Sequence, residues 1–254
     1  MSNKIVIIPT YNEKENIEAI IRAIFSEGSY HVLVVDDGSP DGTANIVKQL
    51  MNQFPAQLFI EERSGKLGLG TAYIHGFKWA LARNYDYIFE MDADFSHNPK
   101  DLNRLLEACE NGADLAIGSR YCHGVNVINW PISRLLMSYF GSAYVRLITG
   151  MPVKDTTAGF KCYASKVLQS VDFEHIKHIG YGFQIEMKFN VWKLGFTIKE
   201  VSIIFIDREL GTSKMSSGIF KEAILGVISI KLRSFFRKWK RFGVDANQKM
   251  RYYC

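Results

Sequence analysis

Two carboxylates that follow an apolar segment, one residue apart, are the clearest candidates for chemistry in this chain. Asp92 and Asp94 come directly after residues 85–91, with Ala93 between them. Hard cations such as Mg²⁺ and Mn²⁺ take one or two carboxylates together with phosphate oxygens, so this spacing suits a metal that arrives with a nucleotide diphosphate. The same residue types also form turns and helix caps, here just before Pro99. The motif alone leaves both interpretations open.

A second acidic group, at residues 36–43, contains candidates for nucleotide recognition. Asp37 can accept hydrogen bonds from N–H groups on a base edge, where guanine presents two such donors and uracil one. Asp36 and Asp41 are suited to capping the next helix or closing turns. Upstream, Tyr11 can stack on a base and Glu13 can accept from base or ribose. Alternatively, Glu13 is an acid in the first turn of a helix, facing its dipole.

The glycine-rich segment 65–70 also has two interpretations. It resembles a phosphate-binding loop, but it lacks the order GxxxxGK[ST] of a P-loop. We therefore favour a tight turn from a strand into a helix, with Lys66 as a candidate wall of a pocket.

Basic side chains follow the acidic ones along the chain. Arg120 comes after a predicted strand, and Arg134 and Ser138 are four residues apart, which places them on one face of a predicted helix. That helix also carries an apolar stripe, made of Ile132, Leu135, Leu136, Tyr139, Phe140, Ala143 and Leu147. Core packing explains such a stripe in most proteins. An arginine beside a hydroxyl at the edge of an apolar groove also suits the phosphate of a lipid.

Two further features lie towards the C-terminus. Residues 207–218, rich in glycine and serine, predict a mobile loop that carries Arg208 and Lys214. These cations either neutralise charge on a leaving nucleotide or are ordinary surface charges. Residues 219–241 predict a helix with one apolar and one increasingly basic side, a pattern typical of helices at anionic bilayers. Packing of this helix against the domain, with a solvated basic tail, is the alternative.

Short apolar segments alternate with amphipathic helical patterns, which predicts an α/β fold. Strands are predicted at 5–8, 31–35, 58–60, 87–89, 114–118 and 197–206, with a further segment at 159–163; helices begin near residues 13, 41 and 70 and span 99–111, 132–148 and 183–193. Apolar strands separated by helices indicate a mostly parallel sheet that is covered on both faces. Ligands in such sheets sit beyond the carboxyl ends of the strands, so the acidic groups are expected at one edge.

The composition sets the broad class. The 254 residues, 47% of them hydrophobic, suit one compact domain, which we place at 1–218, followed by a basic amphipathic helix and tail at 219–254. The net charge of +5 is modest, but the basic excess is local, because basic residues are concentrated after residue 230. No CxxC spacing and no signal-peptide pattern is present, so a cytoplasmic protein is expected. The apolar run 223–230 is far shorter than the roughly 20 residues of a membrane span.

Taken together, the motifs resemble those of a known family. They are Pro-Thr-Tyr-Asn-Glu at 9–13, Val-Asp-Asp-Gly-Ser-Pro-Asp-Gly-Thr at 35–43, the segment 66–76, Met-Asp-Ala-Asp-Phe-Ser-His at 91–97, Gly-Ser-Arg-Tyr at 118–121, Asp-Thr-Thr-Ala-Gly-Phe at 155–160, and residues 207–208 and 213–214. In this order they are similar to the dolichyl-phosphate and polyprenyl-phosphate mannosyltransferases, which are family 2 glycosyltransferases of the GT-A fold. The implied architecture is a Rossmann-like nucleotide-sugar domain with a C-terminal amphipathic helix.

The resemblance implies roles for individual residues. The implied guanosine pocket consists of Pro9, Tyr11, Glu13, Val35 and Asp37. The implied site for the donor and for Mg²⁺ or Mn²⁺ consists of Asp92, Ala93 and Asp94, with Asp92 and Asp94 as the metal ligands. The implied phosphate contacts are Arg120, Arg208 and Lys214 on the donor, and Arg120, Arg134 and Ser138 on the acceptor.

The implied reaction is the inverting transfer of mannose from GDP-mannose to a polyprenyl or dolichyl phosphate. A phosphate monoester has a second pKa of about 6, so such an acceptor is already anionic at neutral pH and needs no strong general base. The expected setting is the cytoplasmic face of a membrane, with no nucleic-acid partner.

Two departures from the family and two alternatives remain at this stage. Ser96 stands where some relatives have a Gln near the metal, and the chain lacks the multi-helix membrane region of others. A peripheral anchor or a small membrane partner is therefore expected. The alternatives are a related transferase that uses UDP-glucose or another sugar nucleotide, and a nucleotide-binding regulator without catalysis.

Overall fold

A central β-sheet with helices on both faces organises the chain, as seen in a computed structural model that describes residues 3–207, 217–237, 239 and 252–253. The strands are β1 (Lys4–Thr10), β2 (His31–Asp36), β3 (Leu58–Glu62), β4 (Tyr87–Glu90), β5 (Leu115–Ser119), β6 (Val127–Ile128), β7 (Lys161–Ala164), β8 (Ile198–Ser202), β9 (Phe205–Ile206) and β10 (Tyr252–Tyr253). The helices are α1 (Ile17–Ser26), α2 (Thr43–Met51), α3 (Leu69–Leu81), α4 (Asp101–Glu110), α5 (Ile132–Thr149), α6 (Ser165–Ser170), α7 (Tyr181–Lys193) and α8 (Ser217–Phe236).

The sheet has the strand order β10-β8-β5-β7-β4-β1-β2-β3. β7 runs antiparallel to β4 and β5, whereas the other neighbouring strands of this sheet are parallel. The predicted α/β class and mostly parallel sheet are confirmed. In the register, Pro9 lies beside Val35 and Thr10 beside Asp36. The carboxyl ends of β1, β2, β4 and β5 therefore meet at one edge, and this edge carries the candidate site.

Alternating apolar side chains divide the core into two layers. Ile5, Ile7, Leu33 and Val35 face one layer, which contains buried residues of α3 and α7. Val6, Ile8, Val32 and Val34 face the other layer, which contains buried residues of α1, α2 and α4. Burial on both faces explains why the strands are continuous apolar runs. The same rigid support holds the strand ends, where the polar motifs begin.

Some element boundaries differ from the sequence-based prediction. α1 begins at Ile17 and not near residue 13, because residues 14–16 form turns. The predicted strand 197–206 is divided: β8 belongs to the large sheet, and β9 pairs in parallel with β6 in a separate two-stranded sheet. The helix predicted over 219–241 runs over Ser217–Phe236. The strands β6 and β10 and the helix α6 were not predicted.

Helices α5 and α8 expose much of their apolar surface. The apolar stripe of α5 is largely exposed to solvent, so core packing does not explain it. Ile132, Phe140 and Leu147 are 75%, 62% and 81% exposed. On α8, Leu232 and Phe236 are 56% and 90% exposed. Among the described residues, no helix combines the length and apolarity that a bilayer span requires.

The described basic side chains of α8, and Arg237 just after it, bind the domain. Lys231 donates to the carbonyl of Thr149 at 3.0 Å, which is a favourable position for a cation at the C-terminal end of α5. Arg233 lies 3.2 Å from Glu186, and Arg237 donates to Asn190 at 2.6 Å. These described basic side chains pack inwards. The apolar residues predicted to share one side of the helix are divided, because Val227 is buried whereas Leu232 and Phe235 are exposed.

Candidate functional site

The carboxyl end of β4 leads the two candidate carboxylates into an ordered turn. Asp94 Oδ1 accepts a hydrogen bond from the backbone N–H of Ser96 at 3.1 Å, and Phe95 between them has a positive φ of 59°. This is the turn that aspartate side chains favour, so that interpretation is confirmed for Asp94. It is compatible with ligand binding, because a carboxylate offers about four lone-pair positions. Ser96, the departure from the family pattern, is buried.

Asp92 is held from two sides. Its backbone N–H donates to Nδ1 of His97 at 3.2 Å. The His97 ring is buried, stacks on Phe160 and meets Phe205 edge-on. From the other side, the Tyr73 hydroxyl donates to Asp92 Oδ1 at 3.3 Å. Both neighbours hold Asp92 in place.

The electrostatic environment of Asp92 favours an added positive charge. Its side chain is 38% exposed. Burial raises the pKa of Asp92 above its usual value; His97 opposes this shift, and Asp94 and Glu90 reinforce it. A divalent cation would relieve the repulsion between the carboxylates and favour their ionised forms.

The donor set of this turn fits a hard divalent cation. Asp92 and Asp94 offer only oxygen, as Mg²⁺ and Mn²⁺ prefer, and the two carboxylates leave positions for substrate phosphates. Within the part of the chain that the structure describes, no group of three or more His, Cys, Asp or Glu side chains forms a metal cage. A cation at this turn would therefore complete its coordination with phosphate oxygens and water.

The carboxyl end of β2 places Asp37 against the loop after β3. Arg63 donates to Asp37 Oδ1 through Nε at 2.7 Å and through a terminal nitrogen at 2.5 Å. The N–H of Leu67 donates to Oδ2 at 3.2 Å, and Arg63 also donates to Thr71 at 2.9 Å. These bonds use three of the about four acceptor positions of the carboxylate. Reading both donors of a guanine would require one protein donor to give way, so the predicted role of Asp37 stays a prediction.

Neighbouring side chains build the turn after β2. Asp36 accepts from the Ser39 hydroxyl at 2.6 Å, and Asp41 accepts from the N–H of Thr43 at 3.0 Å. The predicted turn-forming role of Asp36 and Asp41 is confirmed. Gly38 has a φ of 68°, and a Cβ on it would lie 3.3 Å from the backbone of the loop after β3. Only glycine fits this conformation and this approach without strain.

The other predicted nucleotide contacts lie around the same edge. Pro9 and Val35 are neighbours in the β1–β2 register. The ammonium of Lys66 lies 4.9 Å from the centre of the Tyr11 ring, a cation–π contact that makes Lys66 part of the same wall. Glu13 precedes α1, so the alternative that it is an acid in the first helical turn is wrong.

The glycine-rich segment 65–70 is the turn between β3 and α3, as favoured from the sequence. Gly68 precedes the first residue of α3 with a φ of 102°. Gly70 donates its N–H to the carbonyl of Ile179 at 2.8 Å, and a Cβ on Gly70 would lie 2.7 Å from the Phe183 ring. The glycines thus permit close packing of α3 against α7.

Arg120 follows β5 and is bound to a buried carboxylate. It donates to Asp155 through Nε at 2.7 Å, through a terminal nitrogen at 2.6 Å and through its backbone N–H at 2.9 Å. The terminal nitrogen also donates to Thr157 at 2.8 Å. Burial alone would raise the pKa of Asp155, but the guanidinium holds it below its usual value. This bidentate pair of hydrogen bonds fixes the plane of the Arg120 guanidinium.

The predicted acceptor contacts on α5 have partners from the same region. Arg134 donates to both carboxylate oxygens of Asp207 at 2.7 Å and lies over the Trp130 ring. Ser138 accepts from the Tyr121 hydroxyl at 2.8 Å. Tyr121 follows Arg120 in sequence, so the structure brings Arg120, Arg134 and Ser138 to one region. The predicted donor contacts Arg208 and Lys214 lie outside the described residues.

Comparison with known proteins agrees with this geometry. Residues 5–173 match the model of the family described as glycosyl transferase family 2. The chain belongs to glycosyl transferase family 2. It is 45% identical over 230 residues to the polyprenol monophosphomannose synthase of Mycolicibacterium smegmatis, covering 90% of this chain and 87% of that one. It is 46% identical over 224 residues to the undecaprenyl-phosphate mannosyltransferase of Micrococcus luteus, covering 88% and 91%.

Solved structures support the GT-A fold of this family 2 glycosyltransferase. A mycobacterial protein has a TM-score of 0.62 at 18% identity, covering 91% of this chain and 75% of that chain. The mannosyltransferase PcManGT from Pyrobaculum calidifontis, solved with GDP-Man and Mn²⁺, has a TM-score of 0.55 at 14% identity, covering 91% and 70%. At these identities the likeness concerns the fold.

Beneath the two aspartates, the family 2 chain has a buried polar layer that sequence reasoning missed. Glu90 accepts from Tyr163 at 2.8 Å and from Gln184 at 2.9 Å, and it pairs with Lys161 at 2.9 Å. Lys161 also donates to Gln184. Burial lowers the pKa of Lys161, and Glu90 opposes that shift. This network supports the end of β4 from inside.

A second buried lysine supports the segment after Asp155. The Lys188 ammonium donates to the carbonyls of Thr156 at 3.0 Å, Ala158 at 2.6 Å and Gln184 at 3.3 Å. Burial lowers its pKa well below the usual value. The polar residues of α7 alternate with apolar ones, a period of two that gives no helical face. No sequence signal therefore identified them.

Arg63 was also missed, although a signal existed. It is the first residue after β3, and residues at strand exits are the first to inspect in such a sheet. The prediction ended this strand at residue 60, two residues before its observed end at Glu62. The correct boundary would have placed Arg63 among the candidates.

Proposed function

We propose that this glycosyltransferase moves mannose from GDP-mannose to a polyprenyl or dolichyl phosphate, with inversion at the anomeric carbon. The observation that carries the proposal is the identity of 45–46%, over about 90% of the chain, to two proteins named for mannose transfer to polyprenyl carriers. The strand-end aspartates and the group of Arg120, Arg134 and Ser138 supply chemistry suited to both phosphates. The GDP-Man complex of a protein with the same fold supports the choice of donor.

The acidic side of the edge would hold the donor. Tyr11 and Asp37 would contact the guanosine, with Pro9, Glu13 and Val35 completing the pocket. Asp92 and Asp94 would hold Mg²⁺ or Mn²⁺, which supplies positive charge to the diphosphate when bound. The raised pKa of Asp92 supports this assignment. Arg208 and Lys214 would add charge to the leaving nucleotide.

The basic side would hold the acceptor. Arg120 has a guanidinium fixed by Asp155, and Arg134 stands on an exposed, apolar helix, which suits an anion attached to a hydrocarbon chain. In this structure Asp207 takes two hydrogen bonds from Arg134, so an acceptor phosphate would compete with that carboxylate. The phosphate is itself anionic, so positioning it in line with the anomeric carbon is the main task of these residues.

The exposed apolar surfaces of α5 and α8 support work at a membrane surface. A polyprenyl chain is embedded in lipid, and an enzyme that reaches its phosphate gains from apolar contacts at the same surface. We place the chain as a peripheral protein there. The cytoplasmic face and a small membrane-anchoring partner remain predictions from the sequence.

A direct assay tests the proposal. Radiolabelled GDP-mannose and UDP-glucose are incubated separately with polyprenyl phosphate, with and without EDTA, and label is measured in the organic phase. We expect label only from GDP-mannose, and a loss of transfer with EDTA. Asp94→Ala should abolish transfer, and Arg134→Ala should mainly raise the KM for the lipid. Transfer from UDP-glucose alone, or full activity in Asp94→Ala, would contradict the proposed donor or the proposed site.

A further inference from the structure

The C-terminal strand β10 lies at the edge of the catalytic sheet. It pairs in parallel with β8, with Tyr252 opposite Ile198 and Tyr253 opposite Lys199. Tyr252 is half-buried and packs against the core, and its hydroxyl donates to the carboxylate of Glu200. Residues close to the C-terminus therefore reach a buried acid inside the catalytic domain.

Glu200 has further partners that lead towards the site. It is 2% exposed, and it lies opposite Ile117 in the β5–β8 register, just before Arg120 at the end of β5. One of its oxygens accepts the N–H of Lys154 at 2.7 Å, and the other accepts the N–H of Asp155 at 2.9 Å. Glu200 thus fixes the backbone from which the Asp155 side chain extends.

Asp155 is the residue that orients Arg120. Its two oxygens take three hydrogen bonds from Arg120, and the segment that follows it is held from below by Lys188. A continuous series of hydrogen bonds therefore runs from Tyr252 through Glu200 and Asp155 to Arg120. Each carboxylate in this series is buried and needs its hydrogen-bond donors. The loss of one donor therefore changes how that carboxylate binds its remaining donors.

We infer that Tyr252 and Glu200 are positioning residues for Arg120, through which the C-terminal strand sets the geometry of the acceptor-phosphate site. The inference rests on the proposed function, in which Arg120 contacts the acceptor phosphate. Tyr252 and Glu200 themselves touch no substrate. Their effect should be larger for the acceptor than for the donor, because Arg120 is only one of several implied donor contacts and the nucleotide candidates Tyr11 and Asp37 are bound to other elements.

Tyr252→Phe tests the inference, because it removes one hydroxyl and keeps the ring. In full-length protein we expect the KM for polyprenyl phosphate to rise roughly three- to tenfold, which matches the typical net contribution of one hydrogen bond. The KM for GDP-mannose should stay within about twofold of wild type. A change of that size is too small to indicate a lost interaction with the donor. Glu200→Gln should change the two KM values in the same pattern. If that variant fails to fold, Tyr252→Phe still decides.

Tyr30→Phe is the matched control. The Tyr30 hydroxyl donates to Asn103 at 2.8 Å, and Tyr30 precedes β2, the second strand from the opposite edge of the sheet. We expect its lipid KM to equal that of wild type, even if its melting temperature falls as far as that of Tyr252→Phe. Equal increases of lipid KM in both variants would overturn the inference, because they would show a general loss of stability.

Combination with Arg120→Lys separates the inference from the proposed function. If Tyr252 acts through Arg120, then adding Tyr252→Phe to Arg120→Lys raises the lipid KM no further. If the lipid KM of the double variant rises by the product of the two single increases, the inference is overturned. If Arg120→Lys raises the lipid KM and Tyr252→Phe does not, the inference alone fails. If Arg120→Lys has no effect on it, the proposed acceptor role of Arg120 fails, and the inference fails with it.

Discussion

Asp92 illustrates how a single functional residue can oppose stability. Burial raises the pKa of Asp92, and the nearby Asp94 and Glu90 reinforce the shift, so the ionised form is disfavoured in the folded protein. A group whose pKa is raised on folding contributes stability below its unfolded value of 3.8, and this contribution is lost as the pH rises through the folded value. At neutral pH the ionised carboxylate therefore weakens the fold, and a bound cation would offset that effect.

We predict that Asp92→Asn raises the melting temperature at pH 7 in EDTA, while transfer activity falls by about 10²-fold or more. The difference in melting temperature from wild type should shrink as the pH is lowered through the raised pKa of Asp92 in the folded protein, where the carboxyl becomes protonated. Mn²⁺ should stabilise wild type and leave the variant unchanged. Thermal unfolding across this pH range, with and without Mn²⁺, is the measurement.

Asp101→Asn is the control for that experiment. Asp101 begins α4 and pairs with Arg104 at 2.5 Å, so removing its charge should lower or preserve the melting temperature. If Asp92→Asn melts below wild type at pH 7, the electrostatic account of Asp92 is wrong. Stabilisation of that variant by Mn²⁺, to the same extent as wild type, would remove Asp92 from the metal site.

Asp37 gives a second prediction at this scale. If it reads the base, Asp37→Asn weakens GDP binding about tenfold, which equals about 1.4 kcal/mol, and affects UDP less. Asp41→Asn removes only a carboxylate that closes a turn beside Thr43, so it should leave the ratio of GDP to UDP affinity unchanged. Calorimetric titration of both nucleotides with both variants is the measurement. Equal weakening of GDP and UDP in Asp37→Asn would show that Asp37 serves mainly to hold Arg63.

Sequence reasoning succeeds for residues whose motif is contiguous and fails for those joined by the fold. Asp92 and Asp94 follow one apolar strand, so their location at the sheet edge was predictable. The pairing of Arg120 with Asp155 was not, because β5 and the segment after residue 154 approach one another only in the folded chain. Lys188 could not be identified for the same reason, since its partners are backbone carbonyls.

At the scale of elements, the site depends on how closely α3 approaches α7. The glycines before and inside the first turn of α3 allow this approach, and α3 in turn carries Tyr73, whose hydroxyl donates to Asp92. The Tyr73 ring stacks on Phe183 of α7 with centroids 6.0 Å apart. The packing of two helices therefore sets the position of a group that contacts Asp92, one of the proposed metal ligands.

Gly70→Ala tests this dependence. A Cβ at this position would lie 2.7 Å from the Phe183 ring, so the ring or α3 must move, and we predict a loss of about 1–3 kcal/mol in the free energy of unfolding. Gly141→Ala in α5 is the matched control, because a Cβ there meets no atom within 4 Å. It should stabilise by up to about 1 kcal/mol through helix propensity. Denaturant unfolding of both variants checks the pair, and equal stabilities would contradict the packing argument.

Element boundaries show where local patterns lose their predictive value. The apolar run 197–206 looked like one strand, yet it serves two sheets, because β8 pairs with β5 while β9 pairs with β6. β10 has only two described residues, too few for any period to be recognised. The alternation of strands and helices before residue 111 is regular, and there the prediction of element type held throughout.

At the scale of the whole molecule, apolar side chains and inward-facing charges make α8 suited to a lipid surface. Leu225, Leu232 and Phe235 are exposed, whereas Val227 and Ile230 are buried against the domain. One face of α8 therefore packs against the domain, and the opposite face is exposed to solvent. α5 packs against it and exposes its own apolar residues, so neighbouring helices share this character.

We predict that Leu232→Glu weakens binding to vesicles of phosphatidylcholine with roughly one quarter phosphatidylglycerol. A buried leucine contributes about 1.5–3 kcal/mol relative to an exposed one, so the vesicle dissociation constant should rise at least about tenfold. Leu232→Gln separates lost apolar contact from added charge and should give most of the effect. Co-sedimentation with vesicles is the measurement, and Gln49→Glu on the exposed surface of α2 is the control for one added negative charge.

Transfer assays with two acceptors distinguish loss of membrane binding from loss of catalysis in the same variants. Leu232 is 56% exposed, so its replacement should change the free energy of unfolding by no more than about 0.5 kcal/mol. With a short, water-soluble prenyl phosphate as acceptor, Leu232→Glu should match wild type, whereas with polyprenyl phosphate in vesicles it should be slower. Equal loss with both acceptors would mean that α8 acts on the site itself, and unchanged sedimentation would mean that this face of α8 does not bind lipid.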